Sequence, residues 1–418
     1  MHVLLLSQIF PPETGSAAAK MEEMAHFLRG QGHRVSVVSQ VPCYPAGVVY
    51  PGYEGAWFRQ EFRDGLRISR TWSYASPERR RLRPRLLNYL SFMATALAGI
   101  LAGPRPDIIV VYSPPLFLGL TATLAGKIWR CPFVFWVNDL WLRAARAYGF
   151  LPPGSLSGLG SLYERFIYRQ AGRIFVYSPQ MLEEVVADGG RREKIACHPL
   201  WIDTDVFHPD PVGASQVREQ YGWGDRFVVL YGGNIGLAQG LEVLLEAARR
   251  LRDHAEIHFV LVGSGIEQER LVQMACEQGL TNVEFIGHQP KEKVGAFFSA
   301  GEVLFAHLKA APHRVGTVPE KILAYMACGR PVLLAVQEGA AADIIRSYDC
   351  GQVVPPDNPE ELAQAILSLY GNRQQLHQMG LKGRQATETY FASPKVLQAM
   401  TASLTDLARG SYPGDYGT

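Results

Sequence analysis

No C-x-x-C pair occurs among the six cysteines of this chain, Cys43, Cys131, Cys197, Cys276, Cys328 and Cys350. Such scattered thiols argue against a disulfide framework or a zinc site and fit a reducing compartment. An excess of one charge is also missing. A formal net charge of +2 over 418 residues argues against a dedicated nucleic-acid binder. The opening MHVLLLSQ has neither a charged n-region nor a cleavage motif, so no secretory signal is expected. Internal repeats and low-complexity tracts are absent. One apolar run, Leu86 to Gly103, is long enough to raise a membrane span. Asn88, Ser91, Thr95 and two glycines dilute it, and a buried or half-buried helix is the expectation.

What the chain does have is alternation. Its length exceeds one typical core, so two domains are expected. Strands are predicted at His2–Ser7, Arg34–Ser39, Asp107–Tyr112, Phe133–Val137 and Arg173–Tyr177. Between them helices are predicted at Ala17–Gly30, Leu116–Trp129, Leu159–Ala171 and Pro179–Asp188, with a hairpin near Trp57–Phe62 and Leu66–Trp72. The segment Pro199 to Pro211 breaks this pattern and reads as a hinge. The alternation then restarts with strands Phe227–Leu230, Ile257–Val262, Val283–Ile286 and Val303–Ala306, and with helices Leu241–Leu251, Glu267–Gln278 and Lys291–Phe298. This is doubly wound α/β organisation, and a last helix, Ser393–Leu407, needs a packing partner.

The stretch Gly316 to Val336 is the most informative. Thr317 followed by Glu320 has capping-box spacing, Pro319 suits a first turn, and Gly329 with Pro331 suits a helix end. Val332 to Val336 reads as a buried parallel strand. With Lys321 in the first turn and Arg314 just before it, the helix is either a seat for phosphate or an ordinary connecting helix. Glycines gather after several strands. They are Gly15 in QIFPPETGS, then Gly232, Gly233, Gly236 and Gly240 around Asn234 and Gln239, then Gly263 and Gly265, then Gly287 beside His288. Ligands in open α/β sheets collect at such carboxyl ends. The first loop lacks G-x-G-x-x-G, which weakens a dinucleotide reading. Asp139, in the VNDLW segment after a strand, is either a helix N-cap or a residue facing a cleft.

The segments GGNIGLAQGLEVLLEAA, VGSG, NVEFIG, VPEKILAYMACGRPVLLAV and CGQVVPPDNPEELAQAI, in that order and spacing, resemble glycosyltransferase family 4. The branch most resembled builds bacterial exopolysaccharides, O-antigens and colanic-acid-type polymers. SQIFPPETGSAA, YSPPLF, VNDLW and IDTDVF resemble that branch too, so the resemblance spans nearly the whole chain. It implies a GT-B fold, two Rossmann-like doubly wound parallel-sheet domains facing an interdomain cleft. The expected division is an acceptor-side domain over 1–198, a hinge over 199–213, a nucleotide-sugar domain over 214–390, and a C-terminal helix over 391–418 crossing back. The implied activity is retaining, metal-independent transfer of a hexosyl or N-acetylhexosaminyl group. The donor would be a nucleotide-diphosphate sugar, expected to be UDP-linked, and the acceptor a polyprenyl-diphosphate-linked or oligosaccharide chain. No cofactor is expected, and Asp203-Thr-Asp205 falls where the family has a similar non-metal segment.

By the same resemblance, Asp139 and Lys321 are the expected catalytic residues. Donor binding is expected from Gly15, Gly233, Asn234, Gln239, Gly263, Gly265, His288, Arg314, Thr317, Glu320 and Lys321. Two departures stand out. Gly316 and Ala324 occupy the places of a Glu pair common in the family, and Asn234 and Gln239 stand in the loop that often supplies a basic pair. Two rivals follow: a nucleotide-sugar epimerase of the same architecture, and a degenerate subunit that partners a transferase. Finally, Arg79, Arg80, Arg81, Arg83 and Arg85 crowd before the apolar run. They suggest a cytoplasmic enzyme held peripherally at an anionic inner leaflet.

Overall fold

The computed structural model of the chain describes residues 1–78, 81–147 and 155–410. Its contacts fall into two compact units, one of Met1–His198 with the segment from Leu397, the other of Pro199–Val396.

Unit 1 contains strands β1 (His2–Leu6), β2 (Arg34–Gln40), β3 (Phe58–Arg63), β4 (Leu66–Thr71), β5 (Ile108–Ser113), β6 (Phe133–Val137), β7 (Arg173–Val176) and β8 (Ile195–Cys197). Among the described residues they form one sheet in the order β3-β4-β2-β1-β5-β6-β7-β8. Every pairing is parallel except the β3–β4 hairpin. β1, β5 and β6 are buried at every position, as a sheet covered on both faces requires. The connecting helices are α1 (Ser16–Gly30), α2 (Leu82–Leu101), α3 (Leu118–Trp129), α4 (Trp141–Ala147), α5 (Ser155–Gln170) and α6 (Pro179–Ala187).

Unit 2 opens with α7 (Pro211–Gln220), followed by β9 (Phe227–Gly232), α8 (Glu242–Arg250), β10 (Ile257–Val262), α9 (Gln268–Glu277), β11 (Val283–Ile286), α10 (Lys291–Ala300) and β12 (Val303–His307). It continues through α11 (Glu320–Ala327), β13 (Val332–Ala335), α12 (Ala340–Ser347), β14 (Gly351–Val354), α13 (Pro359–Tyr370) and α14 (Arg373–Ala386). The sheet is wholly parallel, in the order β11-β10-β9-β12-β13-β14. Its core includes Phe227, Tyr231, Leu244, Phe259, Leu261 and Phe305, all fully buried. Side chains of this kind contribute roughly 1.5–3 kcal/mol each. The last helix, α15 (Ser393–Ala408), packs on unit 1 from Leu397 onward. The Ser403 carbonyl accepts from the Arg173 guanidinium at 3.4 Å, and Leu407 lies against Gly172.

Both sheets change winding direction midway. From β1 the chain moves to β2 on one side, and from β5 to β6 on the other, while β1 and β5 are neighbours. In unit 2 the same reversal falls between β9 and β12. Loops leave such a point in opposite directions, and a crevice opens at the carboxyl ends of the strands.

Three expectations are corrected. α11 begins at Glu320, not after Thr317, and Pro319 occupies the N-cap position without a side-chain cap bond. The cause is local, because proline disfavours helical geometry at the residue before it, which sets Val318 against starting the helix. The Thr317 N–H donates instead to the Arg314 carbonyl. Asp139 is not the N-cap of α4, since the Leu140 carbonyl takes the first helical bond, from the Ala144 N–H at 3.0 Å. The arginine cluster is also less uniform than its sequence suggests. Arg79 and Arg80 lie outside the described residues, Arg81 pairs with Glu78 at 2.9 Å, and Arg85 turns into a pocket described below. Asp203-Thr-Asp205 forms a capped turn in which the Asp203 carboxylate accepts from the N–H groups of Asp205 and Val206. Among the described residues no helix is long and apolar enough to cross a membrane.

Candidate active site

In unit 2 the site begins where β9 and β12 part. Tyr325, one turn into α11, places its fully buried hydroxyl between the two strands. The hydroxyl accepts from the Gly232 N–H at 2.9 Å and stands 3.1 and 3.2 Å from the carbonyls of Gly232 and Phe305. Backbone groups released by the diverging strands are thereby satisfied.

Lys321, one turn earlier on the same helix, reaches the mouth of this crevice. Its ammonium donates to the Tyr231 hydroxyl at 2.5 Å, and that hydroxyl donates to the Asn234 carbonyl at 2.6 Å. Nζ also lies 3.8 Å from the centre of the Tyr231 ring, a cation–π geometry. It would be 3.0 Å from a Cβ at Gly233, so the absence of a side chain there keeps the amine uncrowded. Burial pushes the Lys321 pKa down to about 7. An amine balanced between its neutral and charged forms gains its charge when an anion arrives beside it.

The glycine loops have an internal explanation that the sequence did not show. A Cβ at Gly263 would lie 2.0 Å from the Gly233 carbonyl oxygen, and one at Gly265 would lie 2.1 Å from that of Ile235. The turn after β10 is therefore laid directly on the turn after β9, joined by bonds from the N–H groups of Gly233 and Ile235 to the carbonyls of Val262 and Ser264. His307, buried at the end of β12, fixes the far end of the same loop. Its Nδ1 donates to the Gln239 carbonyl at 2.7 Å, and Nε2 accepts from the Asp357 N–H at 3.2 Å. Burial lowers its pKa, so the neutral ring is the form held there. Sequence reasoning missed His307 and Tyr325 because both end or follow apolar runs that read simply as core.

The expected residues divide accordingly. Gly233, Asn234, Gln239, Gly263, Gly265 and Lys321 come together, with Asn234 Nδ2 3.4 Å from Gln239 Oε1. Arg314 joins them by a different use of its charge, since its guanidinium donates to the carbonyls of Lys309 at 2.7 Å and Ala238 at 3.4 Å. Lys309 in turn pairs with Glu242 at 2.6 Å. Thr317 precedes α11, and Glu320 is its first residue. His288 lies exposed after β11, the edge strand of the sheet. Ala324, in place of a Glu, is 5% exposed, so a buried apolar contact replaces a carboxylate.

Gly15 and Asp139 belong to a second site, in unit 1. A pocket of about 600 Å³ sits where β1 and β5 part, lined by Gly15, Tyr44, Arg85, Tyr89, Tyr112 and Asp139 among others. Gly15 adopts φ +131 at the start of α1, a conformation that favours glycine. Beneath the pocket lies a buried polar network that sequence reasoning did not find. The Glu13 carboxylate accepts from Gln40 Nε2 at 3.0 Å and from the N–H groups of Cys43 and Tyr44 at 2.9 Å. Burial raises its pKa while these bonds pull it down. Gln8 bridges Gln40 at 3.2 Å and Asn88 at 2.6 Å, tying α2 to the loop after β1.

The loop-on-loop contact gives a direct prediction. Gly263→Ala destabilises unit 2 by about 2–3 kcal/mol through the carbonyl clash and the strained φ of +140, whereas Gly279→Ala, in open space at φ +61, costs about 1–2 kcal/mol. Urea unfolding of the two variants measures the difference. Equal midpoints would remove the contact as the reason for Gly263.

Comparison with known proteins follows the same division. Residues 15–201 match the glycosyl transferase 4-like domain, and residues 214–386 match the glycosyl transferases group 1. The chain is 28% identical over 345 residues to the putative colanic acid biosynthesis glycosyl transferase WcaI of Escherichia coli strain K12, covering 81% of this chain and 84% of that protein. HepE of Anabaena, solved in complex with UDP-glucose, superposes with a TM-score of 0.73 at 17% identity, over 97% of this chain and 100% of that one. Sucrose-phosphate synthase of Thermosynechococcus elongatus superposes with a TM-score of 0.78 at 18% identity, over 98% and 99%. At these identities the solved structures speak for the fold, which is GT-B. With both units matched by their own family descriptions, the chain belongs to glycosyltransferase family 4.

Proposed function

We propose that this protein is a retaining, metal-independent transferase that moves a hexosyl or N-acetylhexosaminyl group from a UDP-linked sugar to a lipid-linked or saccharide acceptor. The setting is bacterial surface-polysaccharide assembly. Membership of family 4 supports transfer from a nucleotide sugar. The UDP-glucose of the HepE complex suggests the base, and the colanic acid named for WcaI suggests the pathway. In this reading 199–213 is the hinge, unit 2 takes the donor and unit 1 the acceptor. The observation that carries it is Lys321, held by Tyr231 beside the glycine loop at the parting of β9 and β12. A diphosphate there meets the Lys321 ammonium beside the glycine loop, and the charge that develops on the leaving diphosphate is stabilised. Asp139, exposed at the rim of the unit 1 pocket, is assigned to the acceptor and the reacting carbon.

Lys321→Ala weakens nucleoside diphosphate binding by ~1.5–3 kcal/mol at neutral pH, the range for hydrogen bonds to charged groups. The pH dependence has a fixed sign. Below pH 7 the free lysine is already charged and affinity does not depend on its titration. Above it, binding must take up a proton, so parental affinity falls and the gap to the alanine variant narrows toward alkaline pH. Titration calorimetry at several pH values reads both effects. Unchanged affinity in a folded variant, or a gap that widens with pH, contradicts the assignment.

Asp139→Asn keeps donor binding and loses transfer activity on the order of 100-fold, the low end for a positioned acid or base. Product formation measured with donor and acceptor together is the test, and parental turnover would leave Asp139 without a role in transfer.

We also propose a cytoplasmic location with unit 1 resting on the inner leaflet. Support comes from an exposed apolar stripe along α2, Leu87, Leu90 and Leu101, beside Leu124 and Ile128 of α3, with Arg83 exposed at the same helix's start. Liposome flotation gives salt-sensitive recovery on anionic vesicles, reduced by Leu87→Gln with Leu90→Gln. Equal recovery on neutral vesicles, or none at low salt, opposes it.

A further inference from the structure

The unit 1 pocket is lined by a cation, Arg85, with which no carboxylate pairs among the described residues. Arg85, Asn88 and Tyr89 share one face of α2, at i, i+3 and i+4. Asn88 is fully buried and fixed to Gln8 at 2.6 Å, and Tyr89 is packed against the rings of Phe117 and Trp141, each 6.4 Å away. These two anchors determine where Arg85 stands. Its Nε donates to the Tyr89 hydroxyl at 2.8 Å, and its guanidinium lies 5.5 Å from the centre of the Tyr89 ring. The fork is therefore oriented by the protein, at the wall of a pocket of about 600 Å³.

Among the described residues no carboxylate pairs with Arg85, although Arg81, one turn earlier, has Glu78 and Arg143 has both Asp188 and Glu184. Arg85 is the one cation among the residues lining the pocket, and Asp139 the one anion. A guanidinium is a permanent cation whose planar fork suits an oxyanion. The volume suits a sugar-sized ligand, and Tyr44, Tyr89 and Tyr112 line it.

We propose that this pocket selects an acceptor bearing an oxyanion, a phosphate ester or a sugar carboxylate, bound by Arg85. The inference rests on the reading of unit 1 as the acceptor side, and it names the chemistry of the acceptor rather than that of the donor.

Calorimetry with three probes tests it: N-acetylglucosamine 1-phosphate, glucuronate, and the neutral methyl glucoside. Each is titrated into the full-length protein with and without saturating UDP. The parent binds at least one anionic probe tenfold or more tighter than the neutral one, and UDP does not displace it. Arg85→Gln brings that probe down to the neutral level while binding UDP like the parent, and Arg85→Lys recovers part of the loss. Binding of the phosphate alone identifies an ester, and binding of both anions identifies oxyanion recognition in general. Three results overturn the proposal: parental affinity for the anionic probes in Arg85→Gln, no preference for anionic probes in the parent, or loss of that preference when UDP is added. Failure of UDP to bind in any variant instead counts against the donor assignment in unit 2 and leaves the Arg85 comparison readable.

Discussion

A parallel sheet that reverses its winding must let two neighbouring strands part, and the backbone groups freed there need partners. The unit 2 site meets that requirement directly, and the unit 1 pocket, where β1 and β5 part, rests on a buried polar network of its own. In unit 2 the Tyr325 hydroxyl lies between Gly232 and Phe305, and in unit 1 Gln8, Gln40, Asn88 and Glu13 join the loop after β1 to the end of β2 and to α2. Buried polar groups of this kind are costly when half satisfied, so they hold the loops above them in one arrangement.

The two crevices differ in what they leave unmet. Unit 2 buries a single amine against a tyrosine ring, and its loops are locked to one another by glycine contacts and His307. The other basic side chains there, Arg314 and Lys309, are engaged with carbonyls and with Glu242. In the proposed reading, charge for a diphosphate comes chiefly from Lys321, while Gly316 and a buried Ala324 stand where the family resemblance places a Glu pair. Unit 1 instead sets an arginine and an aspartate on the wall of one pocket, a mixed site suited to holding a substrate that is itself partly charged.

Sequence made much of this legible, and the reasons for the rest are physical. Strands such as Phe133–Val137 and Ile257–Val262 were read to the residue because apolar runs bounded by turn residues report burial directly. The GT-B fold and the family were readable from ordered motifs in both halves. The capping-box spacing at Thr317 places the start of α11 two residues early, because it takes no account of the restriction that Pro319 puts on Val318. The glycines were found, but their reason lay in a neighbouring loop about 30 residues away in the chain. The buried roles of Glu13 and Asn88 are hidden for a similar reason: a buried carboxylate or amide is explained by partners such as Cys43 and Gln8, and no local period reveals those pairs. In sequence Arg85 is indistinguishable from its arginine neighbours, and only the anchoring of Asn88 and Tyr89 separates it from them.

Hydrogen exchange with and without a nucleoside diphosphate tests the central claim most directly, since it reports where the donor sits without any assumption about the acceptor. The account predicts slowed exchange at 232–240 and 320–323 on adding uridine diphosphate, lost in Lys321→Ala, with the 283–289 segment unchanged. Protection confined to unit 1, or none at saturating nucleotide, would contradict the placement of the donor between β9 and β12.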